Sequence, residues 1–207
     1  MPYFMVSGMS GDVTILNQTV RVNATASDLL KHLQGGFMSR ATVSYNHWFL
    51  EPDVGFMSLA ATTNTIHVGV DQWGVTLYGG YRLNQHLKVY TGVRYNNLAG
   101  QFIFQGPGRL HITRSGSQTW WDPVFGAQQD VPLTKKLSAS AALDLGGFGV
   151  GSKIAVNAEP LLSYEFNKRF KTSVGWKFFY QDYKNRAQGF EYDLLAGGPF
   201  FGGAFRW

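Results

Sequence analysis

The sequence has no cysteine among its 207 residues, and no run of apolar residues reaches the roughly 18 that a transmembrane helix needs. Without cysteine there is no disulfide framework, no thiol chemistry and no thiolate metal site. The missing apolar run excludes a membrane-spanning helix, but it does not exclude a barrel that crosses a membrane with strands. Nothing in the composition marks a linker or a second core, so we expect one domain, residues 1–207.

Export and nucleic-acid signals are also missing. The N-terminus, Met1 to Phe4, lacks the basic start, apolar core and small-residue cleavage site of an export signal, so we expect that a native signal has been removed. The formal net charge is +5, but the Lys and Arg residues are scattered singly rather than gathered into a patch. Nucleic-acid binding is therefore not expected.

What the sequence does contain is alternation with a period of two. Aromatic residues make up 15% of the chain and there are 25 glycines, which favours an all-β fold with many turns. Residues 170–180 show the pattern most clearly, with Val174, Trp176 and Phe178 on one face and Lys171 and Lys177 on the other. A strand that faces lipid on one side needs this pattern, although a half-buried strand of a soluble protein shows it too.

The alternation repeats along most of the chain. It predicts strands in eight further segments, the first of them weakly patterned: residues 3–13, 37–47, 50–60, 73–83, 87–97, 120–131, 137–145 and 153–166. With a last strand that runs to Trp207, this makes an antiparallel up-and-down barrel of ten strands, with eight as the alternative. Val68 and Val70 have the opposite parity to Trp73, which predicts a bulge near Asp71 or an extension beyond the bilayer.

The connections are predicted to alternate in length. Short links fall near residues 83–86, 132–136 and 167–169 and should face the periplasm, whereas residues 14–36 and 97–119 should form long extracellular loops. Within the first of these loops, residues 27–33 predict a short capped helix.

Three stretches carry a family resemblance. Trp121 to Pro123, Asp144 to Ser152 and Gly198 to Trp207 resemble a widespread group of largely uncharacterised outer-membrane β-barrel proteins of Gram-negative bacteria, the OmpA-like or porin-like small barrels. The last strand, with Phe201 and Phe205 and an aromatic end, resembles the assembly signal of such barrels. The resemblance implies integration into the outer membrane, contact with its lipid and lipopolysaccharide, and recognition by the barrel assembly machinery, and it brings no catalytic residues.

Charged side chains fall on the inward parity of the predicted strands. They form a candidate lumen network with four basic and four acidic members: Arg40, Asp53, Arg94, Asp122, Asp144, Glu159, Lys177 and Arg206. Unpaired charges in a narrow lumen would each cost several kcal/mol, so the near-balance predicts that these groups pair with one another. The network would then be a structural core that fills a barrel of this size, as suits a structural role in the envelope, or else the wall of a narrow passive pore for small solutes or of a ligand pocket.

No catalytic residue, metal site or cofactor is predicted. A surface hydrolase, of the omptin protease or lipid A modifying type, is the alternative, and it would need a histidine beside a carboxylate. His67 and Asp71 lie four residues apart on one strand, about 13 Å along it, which is too far for a direct hydrogen bond. A soluble lipocalin-like barrel is a further alternative, in which the aromatic parity would face inward.

The loop around Gly106-Pro107-Gly108 carries two basic side chains, Arg109 and Arg114. Guanidinium groups suit bidentate contact with phosphate, so this loop is a candidate contact for lipopolysaccharide, and a simple solvated loop is the other interpretation.

We predict that the double variant R109A/R114A binds lipopolysaccharide more weakly than the wild-type protein, because two phosphate contacts are lost. A titration of the purified barrel with lipopolysaccharide checks this. Unchanged affinity would remove the proposed contact.

Overall fold

The computed structural model describes residues 1–15, 18–62, 66–105 and 111–206, and within them almost every residue belongs to a strand of one sheet. The elements in chain order are β1 (Pro2–Met5), β2 (Gly8–Ile15), β3 (Gln18–Ala24), α1 (Ala26–His32), β4 (Leu33–Arg40), β5 (Val43–Tyr45), β6 (Trp48–Thr62), β7 (Ile66–Arg82), β8 (Leu87–Gln105), β9 (His111–Pro132), β10 (Leu137–Gly146), β11 (Ile154–Glu165), β12 (Phe170–Asn185) and β13 (Phe190–Phe205). A short 3₁₀ turn, Arg186–Gln188, precedes β13.

The sheet closes on itself. Strands β6 to β13 form an antiparallel meander in which each strand pairs with the next. At the closure β13 pairs with β2 along Glu191 to Gly197 and with β1 along Phe200 to Gly202, so β1 and β2 act as two halves of one wall strand. Strand β1 pairs with β4, and β4 pairs with β6. In the described residues the wall therefore contains ten strand positions, which confirms the predicted ten-strand barrel.

The apolar parity faces outward. Trp176 and Phe178 are each 44% exposed, and Phe125 is 56% exposed, whereas Asp122 and Asp144 in the same sheet are 0% and 1% exposed. Many further large hydrophobic side chains share the outer face, including Leu50, Leu77, Val93, Trp121, Leu143, Leu162, Val174 and Phe201. The soluble lipocalin-like interpretation is therefore wrong, because it required the aromatic face inside and the charges in water.

The helix α1 forms where the sequence predicts it, and local hydrogen bonds explain its start. The Thr25 hydroxyl accepts from the backbone N–H of Asp28 at 3.2 Å, and the Asp28 carboxylate accepts from the backbone N–H of Thr25 at 3.1 Å. This reciprocal capping box satisfies two backbone donors at the helix N-terminus. The helix contacts β2, β3 and β6.

The assignment of residues 97–119 to a loop is wrong for most of that segment. Strands β8 and β9 continue beyond the apolar belt as a paired extension, with registers from Leu98↔Gln118 to Gln105↔His111. Polar residues such as Gln101, Ser115 and Ser117 lie on the outward parity of this extension, so it has no continuous outer apolar face. Strands that leave the bilayer need none, so the sequence pattern resembles that of a loop.

Residues 14–36 are also not a simple loop. They hold the end of β2, the short strand β3, the helix α1 and the start of β4. β3 spans seven residues, so its alternation is too short to stand out from the sequence.

Strand β7 has no bulge at Asp71. Its register with both neighbours runs without a shift from one end of the strand to the other. The 17 residues of β7 are more than the nine to eleven or so that a bilayer requires, so the strand extends beyond the apolar belt. Val70 lies in that extension and packs against buried apolar side chains inside the barrel.

Gly11 provides a direct test of how closely β2 approaches β13. Its φ is +145°, and a Cβ at this position would lie 2.0 Å from the backbone oxygen of Asp193. We predict that Gly11→Ala lowers the free energy of unfolding by about 1–3 kcal/mol. Gly79→Ala is the control, because a Cβ there meets nothing within 4 Å. Urea unfolding in lipid vesicles checks this, and equal stability of both variants would contradict the close approach of β2 and β13.

Candidate functional site in the barrel interior

Arg40 organises the charged side chains near the end of the barrel that holds Met1 and Arg206. Its Nη2 lies 2.7 Å from Oδ2 of Asp53 and 3.0 Å from Oε2 of Glu159, and its Nη1 lies 3.2 Å from Oε1 of Glu159. Asp53 comes from β6 and Glu159 from β11, so one guanidinium joins opposite parts of the wall. We call Arg40, Asp53, Glu159 and Lys177 the Arg40 cluster.

Lys177 and Tyr3 complete the surroundings of this cluster. The Lys177 Nζ lies 3.7 Å from Oδ2 of Asp53 and 3.8 Å from Oε2 of Glu159. The Tyr3 hydroxyl donates to Oδ1 of Asp53 at 2.7 Å, and its ring centroid lies 5.4 Å from Lys177 Nζ. Two cations thus share two carboxylates, and the aromatic ring adds a favourable cation–π contact.

A second ion pair, between Lys88 and Glu51, lies next to the Arg40 cluster, towards the barrel end that holds Met1 and Arg206. Lys88 Nζ lies 3.3 Å from Oε2 of Glu51, which also accepts a hydrogen bond from the Thr42 hydroxyl at 2.8 Å. Glu51 Oε1 lies 3.8 Å from Nε of Arg40. The sequence analysis missed both Lys88 and Glu51, although each has the inward parity of its strand.

Arg94 and Asp144 form the next layer. Arg94 Nη2 lies 2.7 Å from Oδ1 of Asp144 and donates to the Tyr78 hydroxyl at 3.1 Å, and Arg94 Nε donates to the Thr76 hydroxyl at 3.2 Å. The side chain of Asn157 donates to Oδ2 of Asp144 at 2.9 Å. Arg94 Nη1 is buried and has no hydrogen-bond partner.

Asp122 is buried and, among the described residues, has no cation within ion-pair distance. Its carboxylate accepts from the backbone N–H of Ser152 at 2.6 Å, the Ser152 hydroxyl at 2.9 Å, Gln181 at 2.7 Å and Asn96 at 3.3 Å. Several donors therefore replace a counter-charge, as hydrogen bonds to a carboxylate can. The hydrogen bonds between Asp122 and Ser152 also join two of the stretches that carry the family resemblance, because Asp122 lies in one and Ser152 ends the other.

On the side of Asp122 away from the Arg40 cluster, the interior is apolar. We call this layer the aromatic cluster; its buried members are Leu98, Trp120, Tyr183, Phe190, Tyr192 and Leu194, with Val13, Val22 and Val70 packed against it. The Trp120 and Tyr183 rings stack with centroids 4.3 Å apart and an interplanar angle of 9°. These residues come from strands on several sides of the wall, so the cluster fills the cross-section that they surround.

The predicted lumen residues thus separate into groups. Arg40, Asp53, Glu159 and Lys177 lie together, Arg94 and Asp144 pair, and Asp122 stands in a polar network. Arg206 lies apart at the rim, where its Nη2 is 3.2 Å from Oε1 of Glu165, and the two side chains are 61% and 40% exposed.

Other predicted residues lie elsewhere. Phe201 and Phe205 lie on the outer face, 57% and 60% exposed. Trp207 and Arg109 lie outside the described residues, and the backbone of Arg114 belongs to β9. The sequence analysis missed the aromatic cluster, although the inward parity of Trp120, next to the outward Trp121, was a usable signal.

The histidine and the carboxylate considered for the hydrolase alternative lie on the outer side of the wall. His67 and Asp71 lie on the outward parity of β7, and Asp71 is exposed. Within the described ranges no group of three or more His, Cys, Asp or Glu side chains could hold a metal ion. No helix in that part of the chain is long and apolar enough to span a membrane.

A closed barrel with an apolar outer belt and ion pairs inside is the architecture of an outer-membrane β-barrel. The chain is similar to the translocator domain of the autotransporter NalP from Neisseria meningitidis, with 13% identity over 100% of this chain and 88% of that chain and a TM-score of 0.44. It is also similar to the CymD monoaromatic hydrocarbon channel, with 8% identity over 99% of this chain and 88% of that chain and a TM-score of 0.29.

OmpT, an outer membrane protein of Vibrio cholerae, matches with 8% identity over 100% of this chain and 97% of that chain and a TM-score of 0.24. No protein-family model matches the sequence, and no curated protein matches it. At these identities and scores the properties of the three similar proteins do not carry over to this chain.

The Arg40 cluster and the Arg206 pair provide matched variants. We predict that Arg40→Gln lowers the free energy of unfolding by about 3–5 kcal/mol, because the buried carboxylates of Asp53 and Glu159 lose their main partner. Arg206→Gln should change it by at most about 1 kcal/mol, since that ion pair is exposed. Urea unfolding in vesicles measures both. Equal effects would mean that the buried ion pairs add no more stability than the rim pair.

Proposed function

We propose that this protein is an integral, non-enzymatic barrel of the outer membrane whose interior is closed to ions. The observation that carries the proposal is the succession of two different barriers along the barrel axis. The Arg40 cluster fills the interior near the terminal end, and the aromatic cluster fills it near the opposite end. Such an interior suits a structural role in the envelope better than steady passage of solutes.

The two barriers oppose permeation by different means. A hydrated ion that entered the charged layer would have to compete with ion pairs of 2.7 and 3.0 Å that already satisfy their members. An ion that reached the aromatic cluster would lose its hydration among rings that offer few polar atoms, which costs several kcal/mol. In addition, a small barrel of ten strands leaves little free cross-section.

The proposed orientation follows from the ends of the barrel. The turns after β7, β9 and β11 are short and lie at the end that holds Met1 and Arg206, which we assign to the periplasm. The longer extension of β8 and β9 then faces the exterior, where the segment with Arg109 and Arg114 would meet lipopolysaccharide. In the same proposal the C-terminal stretch with Phe201, Phe205 and Trp207 is read by the assembly machinery, a role suited to the exposed Phe201 and Phe205.

A narrow passive pore is the second candidate function, because the interior is not filled completely. A cavity of about 160 Å³ lies between the charged layer and the aromatic cluster. The surface hydrolase has no comparable support among the described residues, since His67 and Asp71 point away from the interior.

Planar-bilayer recordings of the purified protein distinguish closure from conduction. We predict no steady ion conductance for the wild-type protein. Trp120→Ala should also remain closed, because the Arg40 cluster still fills the other end of the barrel. Trp121→Ala is the matched control, since this neighbouring side chain is 56% exposed on the outer face. Steady conductance in the wild-type protein would overturn the closed interior and favour the pore.

A further inference from the structure

We propose that the cavity of about 160 Å³ inside the barrel binds a small amphiphilic carboxylate, which enters from the lipid through an unpaired part of the wall. This inference rests on the lipid-facing orientation of the proposed function but not on whether the barrel conducts ions. It starts from three observations: a gap in strand pairing, methionines that line the cavity beside that gap, and two cationic side chains, Arg94 and Lys177, on its other side.

The gap lies between β1 and β4. These strands pair only at Pro2↔Ser39 and Tyr3↔Met38, whereas β7 and β8 pair over 17 residues and β8 and β9 over 19. Over residues 33–37, β4 pairs with β6 alone, and the register of this pairing shifts between Leu33 and Gly35. We call the stretch between the β1–β2 junction and residues 33–37 of β4 the seam.

Small residues and α1 border the seam. Gly35 has no side chain that could block the passage, and a Cβ built at this position would meet nothing within 4 Å. The helix α1 contacts β2 on one side and β6 on the other, so it spans the upper border of the seam. The seam is thus a part of the wall in which strand hydrogen bonds are missing.

Methionines line the cavity on the side of the seam. Met5 and Met9 come from one border, Met38 and Met57 from the other, and together they are four of the five methionines in the chain. Their flexible thioether side chains form an apolar surface that adapts to ligands of different shape. Phe56 also lines the cavity, although its ring packs against Trp73 on the outer face, so the cavity reaches the wall.

The opposite side of the cavity is polar and carries two cations, Arg94 and Lys177, together with the carboxylate of Asp53. Arg94 lines it, is 5% exposed, and is held by Asp144, Tyr78 and Thr76 through Nη2 and Nε. Its remaining nitrogen, Nη1, is a buried donor without a partner. Because Nη1 itself has no surface open to the cavity, Arg94 would act on an anion there through its positive charge.

Lys177 supplies the second cationic group. Its Nζ lines the same cavity and lies 3.7 and 3.8 Å from its carboxylate neighbours, which is longer than a hydrogen bond. A carboxylate in the cavity could therefore accept a hydrogen bond from Lys177 Nζ and lie beside the positive charge of Arg94. The methionine wall would cover the apolar body of the same molecule.

The volume limits the ligand to one ring or a short chain. A dry cavity of about 150 Å³ holds a benzene molecule, so the cavity of about 160 Å³ suits a benzoate-sized molecule. A long-chain lipid would not fit inside it.

Benzoate and benzyl alcohol are the matched probes, since they share a ring and differ in charge. We predict that titration calorimetry of the detergent-solubilised barrel shows saturable binding of benzoate, and binding of benzyl alcohol weaker by about tenfold or more. Equal binding of the two probes would overturn the role of the cationic groups. A cavity that holds only water would bind neither, which would overturn the site.

A cavity-filling variant locates the binding. Gly74 lines the cavity, and a Cβ there meets nothing within 4 Å, so Gly74→Val adds volume without a backbone clash. It should abolish benzoate binding. Gly79→Val is the control, because Gly79 is equally open but lies beside the inward Tyr78 and so faces lipid. Loss of binding in both variants, or in neither, would contradict the assignment to this cavity.

Cysteine labelling tests the route of entry, because the chain contains no cysteine of its own. In lipid nanodiscs, Met57→Cys should react with lipid-soluble N-ethylmaleimide and at least about tenfold more slowly with a charged methanethiosulfonate, which cannot pass through lipid. Gln85→Cys, in an exposed turn, is the reference for both reagents. Benzoate should slow the maleimide reaction of Met57→Cys. Equal rates with the two reagents, or no reaction with either, would overturn entry through the seam. The closed interior of the proposed function is tested independently by the bilayer conductance recordings.

Discussion

The rest of the structure depends on the cost of placing ionised groups inside a narrow barrel that sits in lipid. A charge in the interior has little water around it, so it must find an opposite charge or several hydrogen-bond donors. Arg40 meets this requirement for Asp53 and Glu159 together, and Arg94 meets it for Asp144. Each pair joins different strands, so the pairing also fixes how opposite parts of the wall face one another.

Asp122 solves the same problem without a counter-ion. It gathers donors from the Ser152 backbone, the Ser152 hydroxyl and the Gln181 side chain, and in doing so it ties the connection after β10 to β9 and β12. The tight backbone of that connection serves this contact, since Gly147 and Gly149 have positive φ values of 88° and 78°. The glycine-rich stretch is therefore a structural turn around a buried carboxylate.

Period-two alternation was enough to predict the barrel, its ten strands and which side chains point inward, because lipid on one side requires an unbroken apolar parity. The same rule fails where lipid ends. Residues 97–105 and 111–119 are strand but show no continuous outer apolar face, so their sequence pattern resembles that of a loop. Alternation also gives the direction of a side chain but not its height, which is why Arg206 was grouped with Arg94 although it lies at the rim. The role of Trp120 was hidden for a related reason, since an aromatic residue next to the outward Trp121 is easily taken as part of the same girdle.

The closure of the wall has a consequence for how the chain can fold. Tyr3 pairs with Gly202, so the first strand gains its partner on that edge only when nearly the whole polypeptide is present. Contacts that join the two extremes of a chain carry a large loop-closure entropy and form late. Until this contact forms, a partly built sheet has two open edges that can capture strands from other molecules. Removal of either end should therefore give an aggregation-prone sheet rather than a smaller barrel.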